Sequence, residues 1–80
     1  MNNLQKYNAA FTGTFSIEEG ILADLQYQGT EEWDSVGHMQ LIAELEEAFD
    51  IMFDTDDIID LSSYEKGKEI LKKYDILITE

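Results

Sequence analysis

The segment 33–49 constrains the fold most strongly, because it joins a helix-start signal to a long run of apolar residues at helical spacing. Asp34 belongs to the residue types preferred at a helix N-cap, and most residues after position 40 are good helix formers. The pattern predicts an amphipathic helix from 35 to about 49 or 50. Its core-facing residues are expected to be Leu41, Ile42, Leu45, Ala48, Phe49 and Met52.

The other faces of this helix are expected to be largely exposed. They carry Ser35, Val36, Gln40, Ala43, Glu44 and Glu47. Ser35 would lie in the first turn, beside unpaired backbone N–H groups and the positive end of the helix dipole. A phosphate ester is well tolerated at that position, although a first-turn serine taken alone is usually an ordinary surface residue.

The motif Asp34-Ser35-Val36 resembles the Asp-Ser-Leu signature of acyl carrier proteins. Leu41, Leu45, Glu46, Glu47 and Phe49 extend the resemblance along the following helix. It is most specific over 33–61. It implies an all-α fold over a single domain, 1–80: a small four-helix bundle of acyl-carrier type with a long first loop and a short third helix.

The same resemblance implies that Ser35 carries a 4′-phosphopantetheine arm, which tethers an acyl intermediate as a thioester and delivers it to partner enzymes. Asp34 is an expected neighbour of the arm, and His38 is expected one turn from Ser35, either beside the arm or facing partner proteins. The short third helix would border the acyl cleft, whose wall is expected to include Ile58, Ile59 and Leu61.

The partners implied are a phosphopantetheinyl transferase and acyl-loading and acyl-transfer enzymes with basic docking patches. The candidate docking residues are Val36, Gln40, Glu44 and Glu47. Gly37 and Gln40 stand at positions that are commonly acidic in fatty-acid carriers, so the motif looks more like free-standing carriers of specialised biosynthetic pathways. An aminoacyl or peptidyl load remains an open alternative.

The charge distribution supports docking to basic proteins. The net charge is −13, and segment 7–65 holds fifteen of the eighteen acidic residues and no lysine or arginine. Such a surface repels nucleic acid and anionic membranes and attracts basic patches. The charge could instead serve solubility alone. An alternative of another class also remains open: the protein could be an unmodified acidic helical adaptor that binds basic proteins.

Other sites are disfavoured by the residues themselves. The chain has no cysteine, which excludes disulfides and thiolate zinc sites. The acidic segment 54–65 resembles a calcium loop but has Ile59 where the turn glycine belongs, so no metal site is predicted. Asp34, Ser35 and His38 are crowded at one helix start and cannot readily align as a hydrolase triad, so no catalytic residue is predicted.

Membrane insertion is not expected, because no apolar run approaches the ~20 residues that span a bilayer. The N-terminal residues lack the pattern of a signal peptide. We therefore expect a cytoplasmic monomer.

The remaining segments give weaker local signals. A first amphipathic helix, capped by Asn2 or Asn3, should end near 11–13, because Thr12-Gly13-Thr14 is a poor helix interior. Ser16 and Glu19 have capping-box spacing for a short turn before Gly20, and Ile21, Leu22, Leu25 and Tyr27 should pin the long connection to the core.

The C-terminal third shows two more helix starts. Asp54 or Thr55 should cap the short third helix, with Ile58, Ile59 and Leu61 turned inward. Ser62 and Glu65 have capping-box spacing for the last helix, and the tail should pack through Ile76 and Leu77. Trp33, just before the Asp34 cap, is expected to act as a hydrophobic staple on the helix that it precedes.

Overall fold

The computed structural model describes residues 2–79. The secondary-structure elements among them are helices, and none is a β-strand. The four α-helices are α1 (Asn3–Phe15), α2 (Ser35–Phe49), α3 (Thr55–Asp60) and α4 (Tyr64–Lys72), and a 3₁₀ helix (Glu19–Asp24) lies between α1 and α2. The predicted all-α class, long first connection and short third helix are confirmed. Among residues 2–79, no helix combines the length and the apolar character needed to cross a membrane.

Helix α1 is longer than predicted. It begins with a capping box, in which the Asn2 side chain accepts from the Gln5 amide at 2.8 Å. It then continues through Gly13 to Phe15, so the predicted end near 11–13 is wrong. The Phe15 ring is fully buried and stacks on Trp33, with ring centroids 5.3 Å apart. Burying a phenylalanine contributes about 1.5–3 kcal/mol, which exceeds the cost of about 1 kcal/mol for an interior glycine.

The connection from α1 to α2 starts differently from the prediction. Ser16 has a left-handed backbone (φ 54°) and ends α1. The 3₁₀ helix begins at Glu19 after Glu18, with no side-chain cap, so the predicted Ser16–Glu19 capping box is wrong. A serine that adopts the left-handed conformation to end one helix cannot also supply the extended backbone of an N-cap for the next.

Two leucines and two backbone hydrogen bonds hold this connection in place. Leu22 and Leu25 are buried, whereas Ile21 and Tyr27, also predicted to pin it, are exposed. The Tyr27 amide donates to the Ser62 carbonyl at 2.8 Å, and the Tyr64 amide donates to the Leu25 carbonyl at 2.9 Å. The end of the connection is thereby tied to the start of α4.

Helix α4 packs closely against α1. Its N-cap is Ser63, whose hydroxyl accepts from the Lys66 amide at 3.0 Å, so the predicted cap at Ser62 is wrong by one residue. The buried Tyr7 hydroxyl donates to the Tyr64 carbonyl at 2.5 Å. A Cβ atom at Gly67 would lie 2.1 Å from that Tyr7 hydroxyl, so the approach of the two helices needs a glycine there.

Two apolar residues predicted to face the core are exposed. Met52 is 83% exposed, because α2 ends at Phe49 and Asp50 adopts a left-handed backbone (φ 53°) that takes Met52 out of the helical register. In the C-terminal tail, Ile76 and Ile78 pack on the core, as alternate residues of an extended segment do. Leu77 lies between them and is exposed, so its predicted packing is wrong.

The core contains a buried tyrosine that should make stability fall at alkaline pH. Burial raises the pKa of Tyr7 well above its ordinary value near 10, and burial also raises the pKa of Tyr64. A pKa that is raised on folding gives stability that is complete below about pH 10 and is lost as the pH climbs towards the folded-state values.

Tyr7→Phe should therefore flatten the alkaline loss of stability, because it keeps the ring and removes the ionisable hydroxyl. At neutral pH the variant should be less stable by about 1 kcal/mol, the value of one hydrogen bond. Denaturant unfolding from pH 7 to pH 11 measures both effects. Equal alkaline slopes in the two proteins would contradict this account.

Candidate functional site

Ser35 lies in the first turn of α2 with its side chain exposed. The predicted cap before it is confirmed: an Asp34 carboxylate oxygen accepts a hydrogen bond from the Gly37 amide at 2.8 Å. A cap of this kind fixes the first turn of the helix. Ser35 is thus a reachable hydroxyl on a well-defined backbone.

Gly37 sets how closely this turn approaches the preceding connection. A Cβ atom at this position would lie 1.8 Å from the Glu32 carbonyl oxygen and 3.2 Å from Cε1 of Phe15. From the sequence, Gly37 was notable only as a departure from an acidic position. In the structure it is buried and allows the backbone of the loop to rest against α2.

A cleft of about 360 Å³ opens beside Ser35, between α2 and α3. Among residues 2–79, the residues that line it are mostly apolar and none is charged. They are Tyr27, Ser35, His38, Met39, Ile58, Ile59, Leu61 and Ser62. The structure thus brings Ser35 and His38 together with all three residues predicted for the cleft wall.

The three predicted wall residues occupy different depths. Leu61 is buried at the inner surface, Ile58 is half-buried, and Ile59 is 73% exposed at the rim. The expectation that Ile59 turns inward is wrong. Consecutive side chains of a helix point about 100° apart, so Ile59 points away from the core when Ile58 faces it.

Tyr27 and Met39 complete the cleft and were missed as site residues. Tyr27 comes from the long connection, and the backbone tie between that connection and the start of α4, together with edge-on contacts to Trp33 and His38, places it there. Met39 lies one turn after Ser35 and is 54% exposed. Its spacing of four residues from Ser35 places both on one face of the helix, and this spacing is visible in the sequence.

His38 is held on both sides of its ring. The Trp33 indole N–H donates to Nδ1 at 2.9 Å, and Nε2 lies 2.7 Å from the Ile58 carbonyl oxygen. With both nitrogens engaged, and Asp34 capping the helix, these residues do not form a proton relay to Ser35. The two rings lie nearly in one plane, 12° apart, as this hydrogen bond requires. Trp33 thus contacts the fourth residue of α2, the position that a staple uses, but through a hydrogen bond and not through the predicted hydrophobic contact.

The predicted docking residues are all exposed but form two groups. Val36, beside Ser35, is 68% exposed and, with Met39, forms an apolar surface at the cleft. Gln40 and Glu44 border a second groove, of about 510 Å³, between α2 and α1. Glu47 is exposed one turn beyond Glu44.

The opposite side of α3 is fixed by a buried carboxylate. Asp57 is 5% exposed; it is paired with the Lys73 ammonium and accepts from the Tyr74 hydroxyl at 2.6 Å. The hydrogen bond from Lys73 holds the pKa of Asp57 below its usual range. This residue of the acidic 54–60 segment is therefore committed to packing. Within the part of the chain described, no three histidine or acidic side chains are placed to hold a metal ion.

Known proteins provide no assignment for this arrangement. The chain matches no family model, no curated protein and no solved structure. What the cleft and its serine can do must be derived from their own chemistry.

Proposed function

We propose that this protein is a carrier that holds an acyl group as a thioester on a 4′-phosphopantetheine arm attached to Ser35. The observation that carries the proposal is the exposed hydroxyl of Ser35, in a capped first turn, at the edge of an apolar cleft. The arm would supply the thiol, which this cysteine-free chain lacks. The protein itself would supply attachment, shelter and docking.

The residues around Ser35 fit a phosphate diester. Ser35 begins a helix of 15 residues, whose unpaired N–H groups and dipole favour negative charge at this end. Asp34 uses one carboxylate oxygen on the Gly37 amide, which orients it within the turn. The remaining unpaired amides and the helix dipole would favour a phosphate at the serine without a nearby lysine or arginine.

The cleft favours an uncharged cargo over an aminoacyl group. An α-ammonium group placed in the cleft would meet no carboxylate among the lining side chains. Both nitrogens of His38 are already occupied, so the ring has no lone pair to offer. Because burying an unpaired charge is costly, an apolar acyl group suits this space better than an aminoacyl or peptidyl one.

Modification in vitro tests the proposal directly. The purified chain is incubated with coenzyme A, Mg²⁺ and a broad-specificity phosphopantetheinyl transferase, and its intact mass is measured. The expected result is a single added phosphopantetheine. A chain that stays unmodified under conditions that convert a known carrier completely would overturn the proposal and favour the unmodified adaptor.

Docking should depend on an apolar contact and on acidic charge in different ways. Val36→Asp places a charge in the centre of the exposed apolar surface, so it should slow transfer about tenfold at every salt concentration. Glu47→Lys should slow transfer several-fold at low salt and much less at high salt, because salt at 0.1 M screens exposed charges that are more than ~10 Å apart. Initial rates of modification across a salt series measure both.

The matched control for the charge change is Glu69→Lys, on the exposed surface of α4. It alters the net charge as Glu47→Lys does, but away from Ser35. Identical salt profiles for the two lysine variants would show that total charge, and not α2, governs docking.

A further inference from the structure

The His38 ring joins three parts of the chain at the inner wall of the cleft. It belongs to α2, accepts from the Trp33 indole, and contacts the Ile58 carbonyl of α3. The planes of the His38 and Trp33 rings are 12° apart, and Tyr27 meets the imidazole edge-on with centroids 5.7 Å apart. The ring therefore forms a bridge from the connection to α3.

The partners of this ring determine where its proton lies. An indole N–H can only donate, and a carbonyl oxygen can only accept. Nδ1 must therefore be unprotonated, and Nε2 must carry the hydrogen that Ile58 accepts. This neutral tautomer is the form that satisfies both contacts at once.

A second proton on the ring would break the arrangement. It would have to bind at Nδ1, where it would face the N–H of Trp33 and replace a hydrogen bond with a repulsion. Trp33 cannot easily withdraw, because it is fully buried against Phe11 and Phe15. The imidazole is only half-buried, so it would turn away and lose its bond to the Ile58 carbonyl.

Helix α3 depends for its stability on contacts with the neighbouring helices. It has only six residues, and isolated helices of that length are unstable in water. One side is anchored by Asp57 to Lys73 and Tyr74, and the cleft side is anchored by His38 to Ile58. Since the pKa of Asp57 is lowered and those of Lys73 and Tyr74 are raised, the first anchor is retained near neutral pH.

The ionisable groups around His38 do not supply a competing cation. The connection contributes Tyr27, Asp34 caps the helix that carries His38, and the Asp57 carboxylate of α3 lies on the side away from His38. Asp34 is engaged by the Gly37 amide and Asp57 by Lys73 and Tyr74. His38 is the only histidine in the chain, so no second imidazole takes part.

We propose that His38 is a proton-sensitive latch, which in its neutral form holds the cleft side of α3 against α2 and on protonation releases it. Release frees the Ile58 carbonyl and loosens the wall of the cleft beside Ser35. Asp57 keeps the other side of α3 attached, so the helix opens locally on its cleft side while the segment stays in place. The latch needs no group on Ser35, so its test is independent of the proposed carrier function.

The unmodified wild-type protein provides the test. Nitrogen-15 NMR of the imidazole reports the tautomer and the protonation midpoint, and hydrogen exchange reports the opening of α3. The amides of Ile58 and Leu61, which bond to the Asp54 and Asp57 carbonyls, should lose protection on the order of tenfold as the ring is protonated. The values are corrected for the intrinsic pH dependence of exchange, and the amides of α1 should show no such step.

His38→Gln is the matched variant, because glutamine is polar and of similar reach but has no ionisable group. It should abolish the step in α3 protection. The Nδ1–H tautomer in the wild type, protonation without loss of α3 protection, or an unchanged step in the variant would each overturn the latch. If the variant does not fold, the wild-type tautomer and exchange data still decide the question.

Discussion

Ser35→Ala should abolish transfer of phosphopantetheine to this protein and leave its melting temperature almost unchanged. The substitution removes the hydroxyl that would form the phosphoester bond. It preserves the cap, because Asp34 and not Ser35 bonds to the Gly37 amide. An exposed substitution of this kind changes stability by no more than about 0.5 kcal/mol. Intact mass and thermal circular dichroism measure the two effects separately.

Ser62→Ala is the control for the position of attachment. Ser62 is exposed and lines the same cleft, so it tests whether any reachable hydroxyl there would be modified. This variant should be modified at the wild-type rate. Ser63 is a poorer control, since its hydroxyl caps α4 and its loss would cost about 1 kcal/mol. Transfer that persists in Ser35→Ala would rule out Ser35 as the attachment point.

Gly37→Ala should destabilise the fold by about 3 kcal/mol or more. The new Cβ atom would lie 1.8 Å from the Glu32 carbonyl oxygen, and a backbone atom cannot rotate away as a side chain can. Either the loop leaves α2, which uncovers Trp33, or the first turn of α2 unwinds. A loss of this size lowers the Tm of a domain of 60–100 residues by more than about 10 °C.

Gly13→Ala is the matched helical control. A Cβ atom at Gly13 would meet no other atom within 4 Å, and the residue lies inside α1. Alanine there should stabilise the protein by about 0.5–1 kcal/mol, through the lower conformational entropy of the unfolded chain. If Gly37→Ala melted within a few degrees of the wild type, the packing of the loop on α2 would be looser than the structure indicates.

The local signals in the sequence predicted both ends of α2 but only the start of α1. The Asp34 cap depends on a side chain bonding three residues ahead, so it can be identified from neighbours alone. The end of α1 depends on Phe15 stacking on Trp33, a contact across 18 positions. Helix propensity favoured an earlier end at Gly13, and tertiary packing outweighed it.

The candidate site was predictable only in part for the same reason. Helical spacing placed Val36 and Glu47 on the exposed surface of α2, and Ile58 and Leu61 were expected at the cleft. The role of His38 could not be predicted. The ring contacts a backbone carbonyl twenty residues away. Residue types do not indicate which backbone group will lie beside a side chain in the fold.

The contact between α1 and α4 also bears on the order in which the protein acquires its structure. The Tyr7 hydroxyl bonds to the Tyr64 carbonyl, and Phe11 packs edge-on against the Tyr64 ring. These contacts join residues more than fifty positions apart, so the entropy of closing that loop is lost before any of them forms. A nascent chain therefore cannot complete its core from the first helix onwards. Trp33 can meet Phe11 and Phe15 earlier, but Tyr7 stays without its Tyr64 partner until the start of α4 has been synthesised.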